Sequence, residues 1–303
     1  MLHEIFYWIF NMSITAAITG IIVMLIRLVK RIPRRITIFL WIIPFLRMVF
    51  PLGLNSKYSL LSLISQITTK TIIVYRPGGI NFSMTNMVMA ADSYFPISYK
   101  KDMLAQVFHI ASIIWIIISA VLLLILIFTY FTTIRQLKDS ESLRENIYFS
   151  KKISTPGVYG ILRPKIILPF LYKDKNIELI VMHEKMHVHT QDNLWRIVAL
   201  VVGAFHWFNP FCWIFLKMFL EDLELACDER VVARLGQERA KEYAVTLLHS
   251  AKSQNIFISA FGGAKIRKRI ENILSFKKMT GLALVAFIML IVIIFYILLT
   301  NAD

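Results

Sequence analysis

The sequence predicts a mainly α-helical membrane protein, with about four transmembrane helices and a cytoplasm-facing module that contains a small β-sheet. Composition is the first observation: AVILMFWYC make up 57% of the 303 residues and charged residues only 17%, with a mean hydropathy of +0.63, well outside the range of ordinary soluble domains. The second is a set of apolar runs near the ~20 residues that a helix needs to cross a hydrocarbon core. The third is an uneven distribution of Lys and Arg between the runs, which sets their orientation.

The first run, Phe6 to Val29, lacks a basic leader and a small-residue cleavage site and is followed by basic residues, so it is expected to stay as an anchor. The connector RLVKRIPRR after it holds Arg27, Lys30, Arg31, Arg34 and Arg35 with no acid and faces the cytoplasm. Ile36 to Leu52 is shorter and carries Arg47 and two prolines, but is counted as the second span. The segment from Gly53 to Gln106 has only five basic residues, Lys57, Lys70, Arg76, Lys100 and Lys101, and goes outside. Val107 to Thr132 returns the chain to the cytoplasm, and Thr280 to Leu299 is the last span. Between those two lie 23 of the 34 Lys and Arg. Residues 1–132 are thus three spans with an outer loop at about 53–106, residues 133–279 a cytoplasm-facing module, and residues 280–303 a final span with a short outside tail.

The net charge of +15 sits beside apolar runs, where anionic lipid headgroups are the nearest partner. Direct nucleic-acid binding is not expected. Cys212 and Cys227 both fall in the cytoplasmic part, where a stable disulfide is not expected, and they lack zinc-finger spacing.

Within the module, Leu137 to Asn146 is polar and is expected to finish a helix or form a linker. IYFS and PGVYGILRPKIILPF are rich in β-formers, and Gly157, Gly160 and the Arg163-Pro164 break predict a hairpin of two short strands. An edge strand near Val158 to Leu162 would align an extended peptide by backbone pairing.

From Asn176 the pattern turns helical, and HEKMH places His183 and His187 at i and i+4 on one face. Two imidazoles so spaced can chelate zinc, and Glu184 beside them can take a proton from the attacking water and hand it to a leaving amine. A catalytic zinc wants a third protein ligand. EDLELACDER supplies it: Glu224 as ligand and Asp228, four residues on, as the acid that accepts a hydrogen bond from His183. Glu221 is the alternative ligand, and His189, two residues past His187, points elsewhere as a surface or substrate-contact group. Arg230 and His189 are the candidates for stabilising an oxyanion.

The two halves of this site flank the apolar run Leu194 to Leu220, which is long enough to span but cannot do so. Crossing would put Glu224 ~30 Å from His187, against a zinc–ligand distance of ~2 Å. The run must turn back at HWFNPF, where Asn209-Pro210 gives the break, forming a membrane-associated helical hairpin.

Across most of its length the sequence resembles the BlaR/MecR antirepressor family of membrane zinc metallopeptidases, which are gluzincin-like. The span order, PGVYGILRPKIILP, HEKMH, HWFNPFCW, ELACDERV and FGGAKIRKRIENIL carry the resemblance. It implies His183, His187 and Glu224 as zinc ligands, Glu184 as general base and Asp228 as supporting acid, in a bacterial cell-membrane protease that cuts a cytoplasmic transcriptional repressor in an antibiotic response. It also implies cleavage of the chain itself near AKIRKRIENILSFKKM, where Ser275-Phe276 is the expected scissile bond. Longer family members carry an extracellular penicillin-binding sensor after the last span. This sequence ends at Asp303, so it is expected either to be a shorter family member that takes its stimulus through the spans, the outer loop or a partner, or to be a truncated piece of a longer chain. A homodimer is left open. The rival reading is a noncatalytic signal relay with a structural zinc site.

Overall fold

The computed structural model describes residues 2–29, 32–50, 56–60, 62, 103–173, 176–252, 266–277 and 280–300. Among them, three helices are long and apolar enough to cross a membrane: α1 (Leu2–Arg27), α4 (Met103–Gln136, apolar from Gln106) and α10 (Gly281–Leu299). The protein is therefore a membrane protein. Inside α1 the hydroxyls of Thr15 and Thr19 return to the backbone oxygens of Met12 and Ala16 at 3.0 and 3.1 Å, so polar groups are satisfied within the helix, as an apolar surrounding demands.

The run Ile36 to Leu52, expected as a span, takes a different form: α2 (Arg34–Leu40) and α3 (Ile42–Val49), separated at Trp41. Pro44 has no N–H to offer the Leu40 carbonyl, and its ring crowds that oxygen, so one continuous helix is interrupted here. Arg47 is buried and donates to the Leu298 oxygen at 3.0 and 2.9 Å and to the Thr300 oxygen at 2.5 Å. A charge unsuited to a lipid-facing span thereby caps the free carbonyls at the end of α10. Most of the segment 53–106, expected as an outer loop, lies outside the described residues.

The small sheet has strand order β1-β2-β4-β3, with β1 (Glu141–Arg144), β2 (Ile147–Ser150), β3 (Gly157–Tyr159) and β4 (Lys165–Pro169). β3 and β4 form the expected antiparallel hairpin, whereas β2 runs parallel to β4. Gly160 turns the hairpin at φ +90°, where an added Cβ would meet the Arg163 carbonyl oxygen at 2.9 Å. Two details differ from expectation. The strand proposed near Val158 to Leu162 ends at Tyr159, and Leu137 to Asn146 holds β1 rather than a helix end alone. All four β1 side chains are exposed, so no alternation of apolar residues marks this strand. The inner face, Ile147, Phe149, Ile166 and Leu168, packs on Ile180.

Ile180 belongs to α5 (Glu178–His189), which is followed by α6 (Asp192–Phe205), α7 (Pro210–Leu235), α8 (Gln237–Lys252) and α9 (Ile266–Ser275). The run Leu194 to Leu220 folds back between α6 and α7 through residues 206–209. Asn209 caps α7 by accepting from the Phe211 N–H at 2.9 Å, with Pro210 at the first helical position. Its amide donates to the Ser13 hydroxyl at 2.7 Å, pinning the turn on α1. Close packing continues along α1, where the Phe215 ring fills the space beside Gly20 that a Cβ would need.

A buried ionic network joins α7 to the N-terminal helices. Arg27 donates through Nε to both oxygens of Asp222 at 2.9 and 2.8 Å, and Trp41 Nε1 donates to the same carboxylate at 2.9 Å. Glu229 accepts from the backbone N–H groups of Arg34 and Arg35 at 2.9 and 3.0 Å, placing a negative charge at the start of α2.

Candidate metal centre

α5 and α7 meet with their histidine and carboxylate faces together. His183, Glu184 and His187 are all buried, and Nε2 of His183 lies 3.1 Å from Nε2 of His187. The Glu224 carboxylate reaches both atoms, Oε2 at 3.7 Å from His183 and Oε1 at 3.7 Å from His187. A tetrahedral ion with bonds of ~2 Å has ligand–ligand edges of ~3.3 Å, and these three separations bracket that value. The donor set, two imidazoles and one carboxylate, is one that zinc accepts with a position left open.

A competing grouping exists. His183, His187 and Cys227 offer ligand atoms all within 4.8 Å of one another. The Cys227 sulfur, however, lies 3.4 Å from Nδ1 of His183, the ring nitrogen opposite the one that faces His187. An ion shared by both histidines through Nε2 is on the wrong side of the ring for this sulfur. Burial, with help from the neighbouring Asp228 and Glu224 charges, also pushes the Cys227 thiol well above its usual range, which disfavours the thiolate that binds metal. Glu224 fits better. Burial alone would raise its carboxyl, but His187, Arg269 and Arg196 outweigh burial and hold it well below the ordinary range.

Each histidine has a partner behind it. Gln191 adopts a left-handed conformation, φ 53°, and turns the chain so that Asp192 Oδ2 comes 2.7 Å from His187 Nδ1. The Thr190 hydroxyl donates to the other Asp192 oxygen at 2.6 Å. On the other side, Asp228 is 3.5 Å from His183 Nδ1 and reaches it through Tyr243, whose hydroxyl donates to Asp228 at 2.6 Å and lies 2.8 Å from the ring nitrogen. With the tyrosine proton on Asp228, its oxygen accepts from His183 Nδ1–H and leaves Nε2 as the lone pair facing His187. The expected direct bond from His183 to Asp228 is thus replaced by a relay through a residue from α8.

Glu184 sits beside the two histidines. Burial pushes its carboxyl above the ordinary range, although the His183 charge opposes this. The Tyr159 phenol, at the end of β3, is raised by burial and by the Glu184 charge, and β3 packs against α5, the helix that carries Glu184. Asn193 Nδ2 donates to the Gly160 oxygen at 2.8 Å and fixes the end of that strand to α6.

Glu221, the alternative ligand, is instead held by Arg27 and by Lys268, the latter at 2.7 Å. His189 is exposed at the end of α5. Four groups escape the motif reading: Asp192, Tyr243, Arg196 and Arg269. Arg196 Nη2 donates to Glu224 at 2.5 Å, and Arg269 grips both oxygens of Asp228 at 2.8 Å each. Asp192 alone had a local signal, an acid at the start of the helix after the second histidine. Ser275 closes α9 and is exposed, while Phe276 packs against the α5–α8 core and lies beneath the Arg35 guanidinium, 5.8 Å away.

A zinc-competent His, His, Glu cluster with a buried glutamate beside it, on helices packed against membrane-crossing segments, defines the class of membrane-bound metallopeptidases. The chain belongs to the BlaR1 peptidase M56 family, whose profile matches residues 7–275. It is similar to the methicillin resistance mecR1 proteins of Staphylococcus aureus and Staphylococcus epidermidis, at 33% identity over 116 residues, 36% of this chain and 20% of each relative. It is also similar to regulatory protein BlaR1 of Bacillus licheniformis, at 24% identity over 152 residues, 46% of this chain and 25% of the relative. The chain therefore spans a fifth to a quarter of the length of these relatives.

Proposed function

We propose that the chain is a membrane-embedded zinc endopeptidase in transmembrane signalling that cuts a cytoplasmic transcriptional repressor, and also its own linker. The observation that carries this reading is the convergence of His183 Nε2, His187 Nε2 and the Glu224 carboxylate around one point, with a buried glutamate adjacent. His183, His187 and Glu224 would hold the metal. Zinc, when bound, supplies Lewis-acid polarisation of a peptide carbonyl and a lowered pKa for water.

The chain's own residues do the rest. Glu184 takes the proton of the attacking water and returns it to the leaving nitrogen, and its raised carboxyl brings its basicity closer to that task. The outer edge of β3 pairs with an extended substrate backbone beside Glu184. Asp192 and Tyr243 keep the two imidazoles in the orientation that exposes Nε2. In the proposed topology the module faces the cytoplasm, with α1, the α2–α3 pair, α4 and α10 arranged as the four membrane segments.

Ser275-Phe276 stands six residues beyond Arg269, ~9 Å along a helix axis. Cutting there requires the last turn of α9 to unwind into an extended form. The endopeptidase reading is tested by incubating zinc-loaded protein in detergent with candidate repressors and identifying new N-termini. Cleavage by wild type and none by Glu184→Gln is the expected result. Equal cleavage by both would refute it.

A further inference from the structure

The helix that leads toward the last apolar segment is built into the metal centre. α9 is anchored by Ile273, buried in the cluster of Leu179, Met186, Cys227, Val231 and Tyr243. From this helix Arg269 forks onto Asp228, with Nε 2.8 Å from Oδ2 and Nη2 2.8 Å from Oδ1. The same guanidinium lies 3.2 Å from His183 Nε2 and 3.3 Å from Glu224 Oε2. Its neighbour Lys268 donates to Glu221 at 2.7 Å, the carboxylate that also binds Arg27 at the end of α1. One residue of α9 therefore touches the ligand set, while the residue before it shares the Glu221 carboxylate of α7 with Arg27 at the end of a membrane-crossing helix.

We propose that α9 is a detachable part of the metal centre, with Arg269 as its positioning residue. While α9 is docked, the Arg269 fork on Asp228 holds the His183 ring in place through the Tyr243 hydroxyl, and the Arg269 donation to His183 Nε2 gives way when a metal takes that lone pair. When α9 moves, the support behind His183 loosens and the metal is held less well. Residues 276–280 alone separate α9 from α10, so displacement of the last apolar helix acts on the site through this support. The inference rests on the metal-site reading above and adds a regulatory input to it.

The test uses the full chain in detergent, in a Glu184→Gln background so that no self-cutting intervenes, loaded with cobalt(II). Affinity is measured by competition with a chelator, and ligand geometry by the cobalt d–d absorption bands. Arg269→Gln is expected to weaken cobalt binding about 10–100-fold, the usual effect of removing a group that orients a metal ligand, and to shift the bands. Arg269→Lys does not restore either, because an ammonium cannot fork onto a carboxylate. Ile273→Asp, which puts a charge into the apolar cluster that anchors α9, should reproduce both changes by undocking the helix. The double variant should be no weaker than the weaker single, since both remove one support. If Ile273→Asp folds poorly in a thermal melt, Ile273→Ala takes its place and must weaken binding severalfold.

Unchanged or tighter cobalt binding in Arg269→Gln, unchanged affinity and bands in the folded Ile273 variant, or losses that multiply in the double, would overturn the proposal. Failure of the parent protein to bind cobalt would remove the metal site and this inference together. Cobalt results as expected, without hydrolysis of any repressor by the Glu184-containing protein, would retire the endopeptidase reading and leave this one standing.

Discussion

Replacing Asp192 isolates the support behind one histidine. Its carboxylate is buried, 2.7 Å from His187 Nδ1, and is itself held by the Thr190 hydroxyl at 2.6 Å. Asp192→Ala leaves the His187 Nδ1–H without an acceptor and frees the ring to turn its Nε2 away from His183 and Glu224. The loss of such a partner costs about 10–100-fold in metal affinity, or about 1.4–2.8 kcal/mol at 1.4 kcal/mol per tenfold. Asp192→Asn keeps an amide oxygen in reach but not the charge, so its loss should lie at the tenfold end. Zinc affinity in detergent, by competition with a chelator, gives both numbers. Thermal unfolding with and without zinc gives an independent reading, because stabilisation by a ligand falls with its affinity. Zinc affinity of Asp192→Ala within twofold of wild type would contradict the assignment of His187 as an oriented ligand.

Glu184→Gln should keep zinc and lose peptide hydrolysis by about 10²–10⁴-fold, the usual range for a general base. Because burial raises the Glu184 carboxyl above 4.5, activity should fall as pH drops through that raised value. A profile with no acid limb would contradict that role. Asp222→Ala leaves the buried Arg27 guanidinium with one of its carboxylates gone, which costs about 3–5 kcal/mol for a buried ion pair broken on one side. Its thermal midpoint should drop sharply, and an unchanged midpoint would mean that the network contributes little. Cysteines introduced at Lys173 or Lys252 should resist an impermeant reagent applied from outside intact cells, whereas one at Gly78, outside the described residues, should react. Labelling at Lys173 would reverse the proposed orientation.

Local spacing made much of the centre legible. His183, Glu184 and His187 share one helical face within five residues, and the need for a third ligand pointed to Glu224 on the next long helix. The turn at Asn209-Pro210 followed from the same geometric demand, because ligands at both ends of an apolar run must meet. Other features carry no local mark. Tyr243 and Arg269 stand 60 and 86 residues from His183 in sequence, and only the tertiary packing of α8 and α9 brings them to it. Asp192 does carry a local mark, as an acid at the start of α6, but its reach to His187 depends on the left-handed turn at Gln191, which sequence periodicity does not reveal. β1 has no buried side chain to set an alternating pattern, and hydropathy alone does not register that Pro44 divides α2 from α3.

The central claim is that zinc is held by His183, His187 and Glu224, with Cys227 excluded. Zinc K-edge X-ray absorption on the metal-loaded full chain tests it most directly, because zinc–sulfur bonds of ~2.3 Å are readily told from zinc–nitrogen and zinc–oxygen bonds of ~2.0–2.2 Å. A first shell of nitrogen and oxygen only, with scattering from two imidazoles, is the expected result in wild type and in Cys227→Ala. A sulfur shell in wild type that disappears in Cys227→Ala would contradict the account.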